Sequence, residues 1–283
     1  MKNNGILIAD GFELAYRIEG SGHPVLVVGS SLYYPRLFSK AIREHLKLIF
    51  VDHRGFVKPP ADMKPEDYGI DRILNDIERF RQELDLERFS ILGHSGHAFL
   101  AAEYAVKYPE YIDRVILLNS APTNSPARQE ESQSFFSQTA DPGRLGKFEK
   151  DMALLAKDLE QEPERRFAHL LIRMGAQSFY DYHFDASYMW EGVYTNMPVI
   201  DHLWGEAFAN INLYDRLPMI SKPVFLGLGR YDYLVAPLTL WDGIEHKLGQ
   251  ITKVVFERSG HNPMFEEAVL FDTVLLKWMN TPE

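Results

Sequence analysis

Three residues in this chain have the types and the local settings that nucleophilic acyl chemistry needs: Ser95, Asp232 and His261. A serine hydroxyl is a weak nucleophile at neutral pH. It needs a base to take its proton, a group to orient that base, and donors for the oxyanion that develops. Ser95 lies in the run Leu92-Gly93-His94-Ser95-Gly96-His97. A Gly-x-Ser-x-Gly turn from strand to helix holds its serine in a sharp, exposed bend. A strand-like run, Phe89 to Leu92, precedes Ser95, and a helical pattern, Ala98 to Tyr108, follows it. The match is incomplete, because His97 stands where the second glycine is expected. That glycine normally lets strand and helix pack closely, so the imidazole must be housed elsewhere.

Asp232, in Gly229-Arg230-Tyr231-Asp232, follows the apolar run 224–228. His261, in Ser259-Gly260-His261-Asn262-Pro263, follows the run 252–256. Each stands where the C-terminal end of a strand would present it. Asp232 would orient His261 and stabilise its imidazolium, and His261 would deprotonate Ser95 and then protonate the leaving group. Asp242 and His246 compete poorly, since both fall inside a predicted helix over 238–248. The first oxyanion donor is expected to be the backbone N–H of Gly96. The second is expected in the loop Gly29-Ser30-Ser31, at Ser31 with Ser30 next.

These residues need a scaffold, and the pattern of the chain supplies one. Apolar runs of strand length alternate with helical spacing, which predicts an α/β fold with a mostly parallel central sheet flanked by helices. Ile6–Ala9, Phe12–Ile18, 24–28, 48–52, 115–118, 223–228 and 252–256 read as further strands. Ile70, Ile73, Leu74, Ile77, Phe80 and Leu84 recur at helical spacing, and Glu266 to Met279 reads as a closing helix. Residues 123–222 break the rhythm with helical stretches such as 148–159 and 164–174 and no convincing strand. The expected organisation is therefore a core of 1–122 and 223–283 with a helical cap inserted at 123–222. Open α/β sheets bind ligands at the C-terminal edge that such a cap would cover.

Composition narrows the chemistry. The 283 residues carry a formal charge of −10 and no cysteine. So acidic a chain argues against nucleic acid as a partner, because phosphate binding needs a basic face. Disulfides, thiolate metal sites and a cysteine nucleophile are excluded. No apolar run approaches a membrane span, and the N-terminus lacks the apolar core of a signal peptide. The expectation is a cytoplasmic protein acting on a small molecule, without a metal or cofactor; no His-x-x-x-His or His-Glu-x-x-His spacing is present. Oligomeric state is open.

The chain resembles the α/β-hydrolase superfamily over nearly its full length. The resemblance rests on Gly93-His94-Ser95-Gly96, Asp232, His261, the loop Asp52-His53-Arg54-Gly55-Phe56, and the run from Gly260 to Glu267. It implies the order Ser, acid, His found here; where some members place the acid after the preceding strand, this chain has Asn119-Ser120. Many members have His-Gly in the loop where this chain has Gly29-Ser30-Ser31, a departure at Gly29-Ser30. Epoxide hydrolases and dehalogenases of the superfamily usually attack with Asp at the serine position, so they are disfavoured. Between 179 and 214 the cap carries Phe179, Tyr180, Tyr182, Phe184, Tyr188, Trp190, Tyr194, Trp204, Phe208 and Tyr214, interleaved with Asp181, Asp185, Glu191, Asp201 and Glu206. This predicts an aromatic-lined pocket with an acidic element, with Trp190, Glu191 and Ser30 as substrate contacts. The favoured reading is a serine esterase or lactonase working through an acyl-enzyme on a bulky substrate that carries an amino group or none. Serine-dependent macrolide esterases, acting on an amino-sugar macrolactone, resemble this description. Alternatives are a proline iminopeptidase-type aminopeptidase and a non-catalytic ligand receptor of the same fold.

Overall fold

A computed structural model describes residues 3–281. Eight strands, β1 (Asn4–Ala9), β2 (Phe12–Glu19), β3 (His23–Gly29), β4 (Leu46–Asp52), β5 (Phe89–His94), β6 (Ile112–Leu118), β7 (Val224–Gly229) and β8 (Ile251–Phe256), form one sheet in the order β1-β2-β4-β3-β5-β6-β7-β8. β1–β2 and β2–β4 pair antiparallel; every other pair is parallel. The sequence explains the difference. β5 and β7 are buried along their whole length, as parallel strands covered on both faces must be. β1 instead alternates buried Leu7 and Ala9 with exposed Ile6 and Ile8, the signature of a half-covered edge.

Helices α1 (Ile70–Glu83) and α2 (His97–Lys107) pack on the sheet; α1 buries Ile73, Leu74, Ile77 and Phe80 along one stripe. Arg54, after β4, is 1% exposed and pairs with buried Asp76 of α1 through Nε to Oδ2 at 2.6 Å and Nη2 to Oδ1 at 2.9 Å. This bidentate pair fixes the loop that carries His53.

Between β6 and β7 the described residues contain no strand, as the sequence reading expects. They form α3 (Pro126–Thr139), α4 (Pro142–Gln161), α5 (Arg166–Arg173), α6 (Gly175–Ser178), α7 (Met197–His202) and α8 (Leu213–Arg216), with a π turn at Leu203–Ala207. α4 starts earlier than the predicted 148, because the Asp141 side chain caps the Arg144 amide at 2.9 Å and Pro142 suits the first turn. The predicted helix 238–248 does not form as one piece. Gly243 adopts φ +72 and separates a 3₁₀ turn, Leu238–Trp241, from α9 (Ile244–Lys247). The predicted closing helix splits into α10 (Pro263–Glu266) and α11 (Ala268–Met279) at Glu267. The Glu267 carboxylate accepts from the Arg258 amide and from Ser259 Oγ, so it anchors the preceding loop.

Candidate active site

Ser95 occupies the turn between β5 and α2 with φ +58, a left-handed conformation that non-glycine residues enter only when their surroundings impose it. Here the Ser95 amide donates to the Leu118 carbonyl of β6 at 2.8 Å. A Cβ on Gly93 would lie 2.3 Å from the His97 carbonyl, so strand and helix approach as closely as glycine permits. His97 is accommodated because its ring is held by other partners: Tyr34 Oη at 2.8 Å and His53 Nε2 at 2.9 Å, with Trp204 edge-on at 5.4 Å between ring centroids. The Gly96 amide opens α2 and has no hydrogen-bond partner among the described residues. Such an N-terminal amide, backed by the helix dipole, suits an anionic oxygen.

His261 Nδ1 lies 2.7 Å from Asp232 Oδ2. Both oxygens of the Asp232 carboxylate are engaged: Oδ2 also accepts from Asn119 Nδ2 at 2.8 Å, and Oδ1 accepts from the Leu234 amide at 3.0 Å. Asn119 Nδ2 donates to the Gly260 carbonyl at 2.9 Å as well, tying the acid to the histidine loop. The loops meet at Gly229 and Gly260, where a Cβ on Gly229 would fall 1.8 Å from the Gly260 carbonyl oxygen. Ser95 and His261 line one cavity. Among the described residues no hydrogen bond joins them; such contacts commonly tighten only with substrate bound.

A second carboxylate organises the histidine loop. Glu266 accepts from the amides of Tyr180 (2.7 Å), Gly260 (2.9 Å) and Asn262 (3.1 Å). Burial nevertheless pushes its carboxyl up to about 7, against the pull of those three donors. Its pKa in an unfolded chain is 4.5, so between these values the folded protein holds the extra proton. Stability from this group is therefore fully present below the unfolded value and is lost as pH rises through the folded one. Denaturant midpoints at about pH 5 and about pH 7.5 should fall with pH in the wild type and fall less in Glu266→Gln. Equal slopes would contradict this role.

The cavity holds about 590 Å³ and joins the sheet edge to the segment between β6 and β7. Its apolar wall includes Phe167, Leu170, Met174, Phe179, Met197, Ile200 and Trp204. Trp204 and Phe208 lie so close over Gly96 that a Cβ there would meet both at 2.9 Å. Polar side chains also line the wall, among them Asn124, Arg128, Gln133, Gln177 and Asn262. Arg128, 7% exposed, gives its donors to neutral acceptors: the Thr123 and Leu234 carbonyls, Ser132 Oγ and Asn124 Oδ1. Buried Gln177 Oε1 and Asn262 Oδ1 have no partner.

The remaining sequence expectations divide. Trp190 lines the cavity, packed on Tyr33 at 4.6 Å and Phe167 at 5.8 Å. Glu191 does not: its side chain is exposed, outside the cavity wall, and its carbonyl accepts from Arg36. Ser31 is corrected as an oxyanion donor, because its amide is taken by Asp52 Oδ1 at 2.6 Å. Ser30 is buried outside the cavity wall, and its hydroxyl accepts from the Leu32 and Tyr33 amides, so it caps a turn rather than meeting substrate. Its own amide has no partner among the described residues. Of the cap aromatics, Phe179, Trp190 and Trp204 line the cavity, while the others pack or face outward. Asp201 is the one cap acid in the wall, and Arg166 holds it by two contacts of 2.6 and 2.7 Å. The expected acidic element is thus neutralised where it touches the cavity.

Sequence reasoning gave no role to Tyr34, His53, Asn119, Arg128 or Glu266. Only Glu266 left a legible trace: it stands four residues after Asn262, the residue before Pro263, a spacing from which a carboxylate reaches back to amides at a helix start.

Comparison with known proteins gives a consistent result. The family model described as alpha/beta hydrolase fold matches residues 26–268. A Bacillus subtilis (strain 168) protein described as "AB hydrolase superfamily protein YclE" is 52% identical over 280 residues, covering 99% of this chain and 100% of the relative. A proline iminopeptidase of Heyndrickxia coagulans is 25% identical, covering 93% of this chain and 92% of its own. Among solved structures, an esterase from Exiguobacterium antarcticum superposes with a TM-score of 0.68 at 20% identity, over 99% of this chain and 100% of that one.

Proposed function

The chain belongs to the α/β-hydrolase family, and on that premise we propose that it is a serine hydrolase cleaving a carboxylic ester or lactone of largely apolar character. Ser95 is the nucleophile, His261 the general base and acid, and Asp232 the group that holds and balances the imidazole. The observation that carries this reading is His261, which lines one cavity with Ser95 and is held at Nδ1 by Asp232 Oδ2 at 2.7 Å. Ser95 Oγ adds to the substrate carbonyl as His261 Nε2 takes its proton. The oxyanion is met by the Gly96 amide, which has no partner among the described residues. The imidazolium then protonates the departing alkoxide, leaving an acyl-enzyme that water cleaves by the same steps in reverse roles. The helical segment 123–222 serves as the cap, and its wall sets specificity.

An uncharged substrate fits this wall better than a cationic one. Among the described residues no free carboxylate lines the cavity, and Arg128 contributes positive charge there. The amino-sugar macrolactone therefore loses the acidic anchor that the sequence reading gave it. Arg128, Gln177 and Asn262 are left to meet polar groups of the substrate. The iminopeptidase relative keeps a second reading in play, although a free amine would likewise lack its carboxylate.

A hydrolysis panel tests this: p-nitrophenyl esters of increasing acyl length, neutral lactones, a macrolide and prolyl-naphthylamide. Turnover of the neutral esters or lactones, with little on the macrolide, is expected; cleavage of prolyl-naphthylamide alone would overturn the reading. Trp190→Ala should lower kcat/KM for a decanoate ester roughly tenfold or more and for the acetate less than about threefold. Equal losses would remove Trp190 from the specificity wall.

A further inference from the structure

Four buried side chains that the proposed reaction does not use run in one line from the β4 loop to the histidine loop. His53, His97, Tyr34 and His94 are each 4% exposed or less. The Gly55 amide donates to His53 Nδ1 at 3.0 Å. His53 Nε2 meets His97 Nε2 at 2.9 Å, and His97 Nδ1 meets Tyr34 Oη at 2.8 Å. Tyr34 Oη meets His94 Nδ1 at 3.3 Å, and His94 Nε2 meets the His261 carbonyl at 2.7 Å.

The two ends fix the protons independently. An amide can only donate, so His53 Nδ1 accepts and its hydrogen sits on Nε2. His53 then donates to His97 Nε2, which leaves the His97 hydrogen on Nδ1, donated to Tyr34. At the other end a carbonyl can only accept, so His94 carries its hydrogen on Nε2 and accepts at Nδ1. Both deductions meet at Tyr34, which accepts from His97 and donates to His94. One assignment satisfies every link with all three imidazoles neutral. An extra proton on His53 or His97 would set two N–H groups against each other. Burial acts the same way, pulling His53 down to about 3 and His94 and His97 well below the usual imidazole range.

The chain ends on the residue that matters most. The His261 amide donates to the Ser178 carbonyl at 2.5 Å, so one side of its main chain is held by α6 and the other by His94. The His94 and His261 rings also pack at 4.5 Å. We infer that His53, His97, Tyr34 and His94 are positioning residues, a hydrogen-bonded chain of fixed polarity that holds the His261 main chain in place relative to the loops after β3 and β4. The inference rests on the proposed role of His261 as base. It also explains why an imidazole stands at 97 where the turn motif has glycine: His97 is the central link. A fully satisfied buried network of this kind rigidifies what it touches.

Tyr34→Phe keeps the ring and removes the two central hydrogen bonds. Displacing a catalytic group by an ångström costs on the order of 100-fold, so kcat on p-nitrophenyl butyrate should fall roughly 10- to 100-fold with KM changed less than about threefold. Long-range proton–nitrogen NMR on the wild type should show His53 and His94 as Nε2–H tautomers and His97 as Nδ1–H. This reading needs no variant to fold. A Tyr34→Phe enzyme with kcat within twofold of wild type, or His97 found as Nε2–H, overturns the inference. His261→Ala separates the two claims. If that variant keeps wild-type activity, the proposed function itself fails; if it is inactive while Tyr34→Phe is unimpaired, only the positioning chain fails.

Discussion

Ser95→Ala should abolish ester turnover, with a loss of roughly 10⁴-fold or more in kcat, and leave the fold intact. The proposed mechanism makes Ser95 Oγ the atom bonded to the acyl group, so nothing else in the cavity can replace it. The effect should fall on kcat, because an apolar wall spread over the segment from Phe167 to Trp204 still binds the substrate. A small residual rate is expected from the amide of Gly96 and from approximation alone. The substitution is mild for the structure: Ser95 makes no side-chain hydrogen bond among the described residues, and alanine tolerates φ +58 no worse than serine at the level of sterics. Circular dichroism and the denaturant midpoint should therefore match the wild type closely. Esterase activity retained at more than about a hundredth of the wild-type rate would remove Ser95 as nucleophile.

Asp232→Asn should cost roughly 10³- to 10⁴-fold in kcat, although it changes only one atom's identity. Both oxygens of the carboxylate already accept: His261 Nδ1–H and Asn119 Nδ2–H on Oδ2, and the Leu234 amide on Oδ1. If the new amide nitrogen stands at the Oδ2 position, it opposes the Asn119 amino group. It also drives the His261 hydrogen from Nδ1 to Nε2, which ends the ability of Nε2 to accept a proton from Ser95. If the nitrogen stands at Oδ1, it opposes the Leu234 amide. Neither orientation is satisfied, so a loss of stability should accompany the loss of rate. Steady-state kinetics together with the His261 nitrogen shifts checks both; a variant with rate within tenfold of wild type would place the acid elsewhere.

The central sheet was readable because its parallel strands are continuous buried runs, such as Phe89–His94 and Val224–Gly229, set between helical spacings. The turn at Ser95 and the loop at Asp232 were readable for a related reason, since each follows one of those runs; His261 follows the half-buried edge strand β8, whose apolar residues still mark it. What failed lay where local pattern has little hold. The helix expected over 238–248 ends at Gly243, whose left-handed backbone interrupts an otherwise helical composition. Between 179 and 214, short helices, 3₁₀ turns and a π turn leave no steady period, so aromatic content did not reveal which rings face inward. Tyr180 and Tyr194 are exposed, whereas Trp204 overhangs Gly96. Ser31 was misjudged because nothing in the chain shows that Asp52, 21 residues on, takes its amide. The row from His53 to His94 is assembled from three separate stretches of chain, after β3, after β4 and around the β5–α2 turn; its one trace in the sequence is the misfit of His97 in a glycine position.

The central claim is that Ser95 is the activated nucleophile, and the most direct measurement is covalent. The protein should be treated with a fluorophosphonate and the adduct located by peptide mass spectrometry, in the wild type and in His261→Ala. The account predicts one stoichiometric adduct on Ser95 in the wild type, and labelling slowed by orders of magnitude without His261. No adduct, an adduct on another hydroxyl, or labelling of Ser95 that proceeds equally fast without His261 would contradict it.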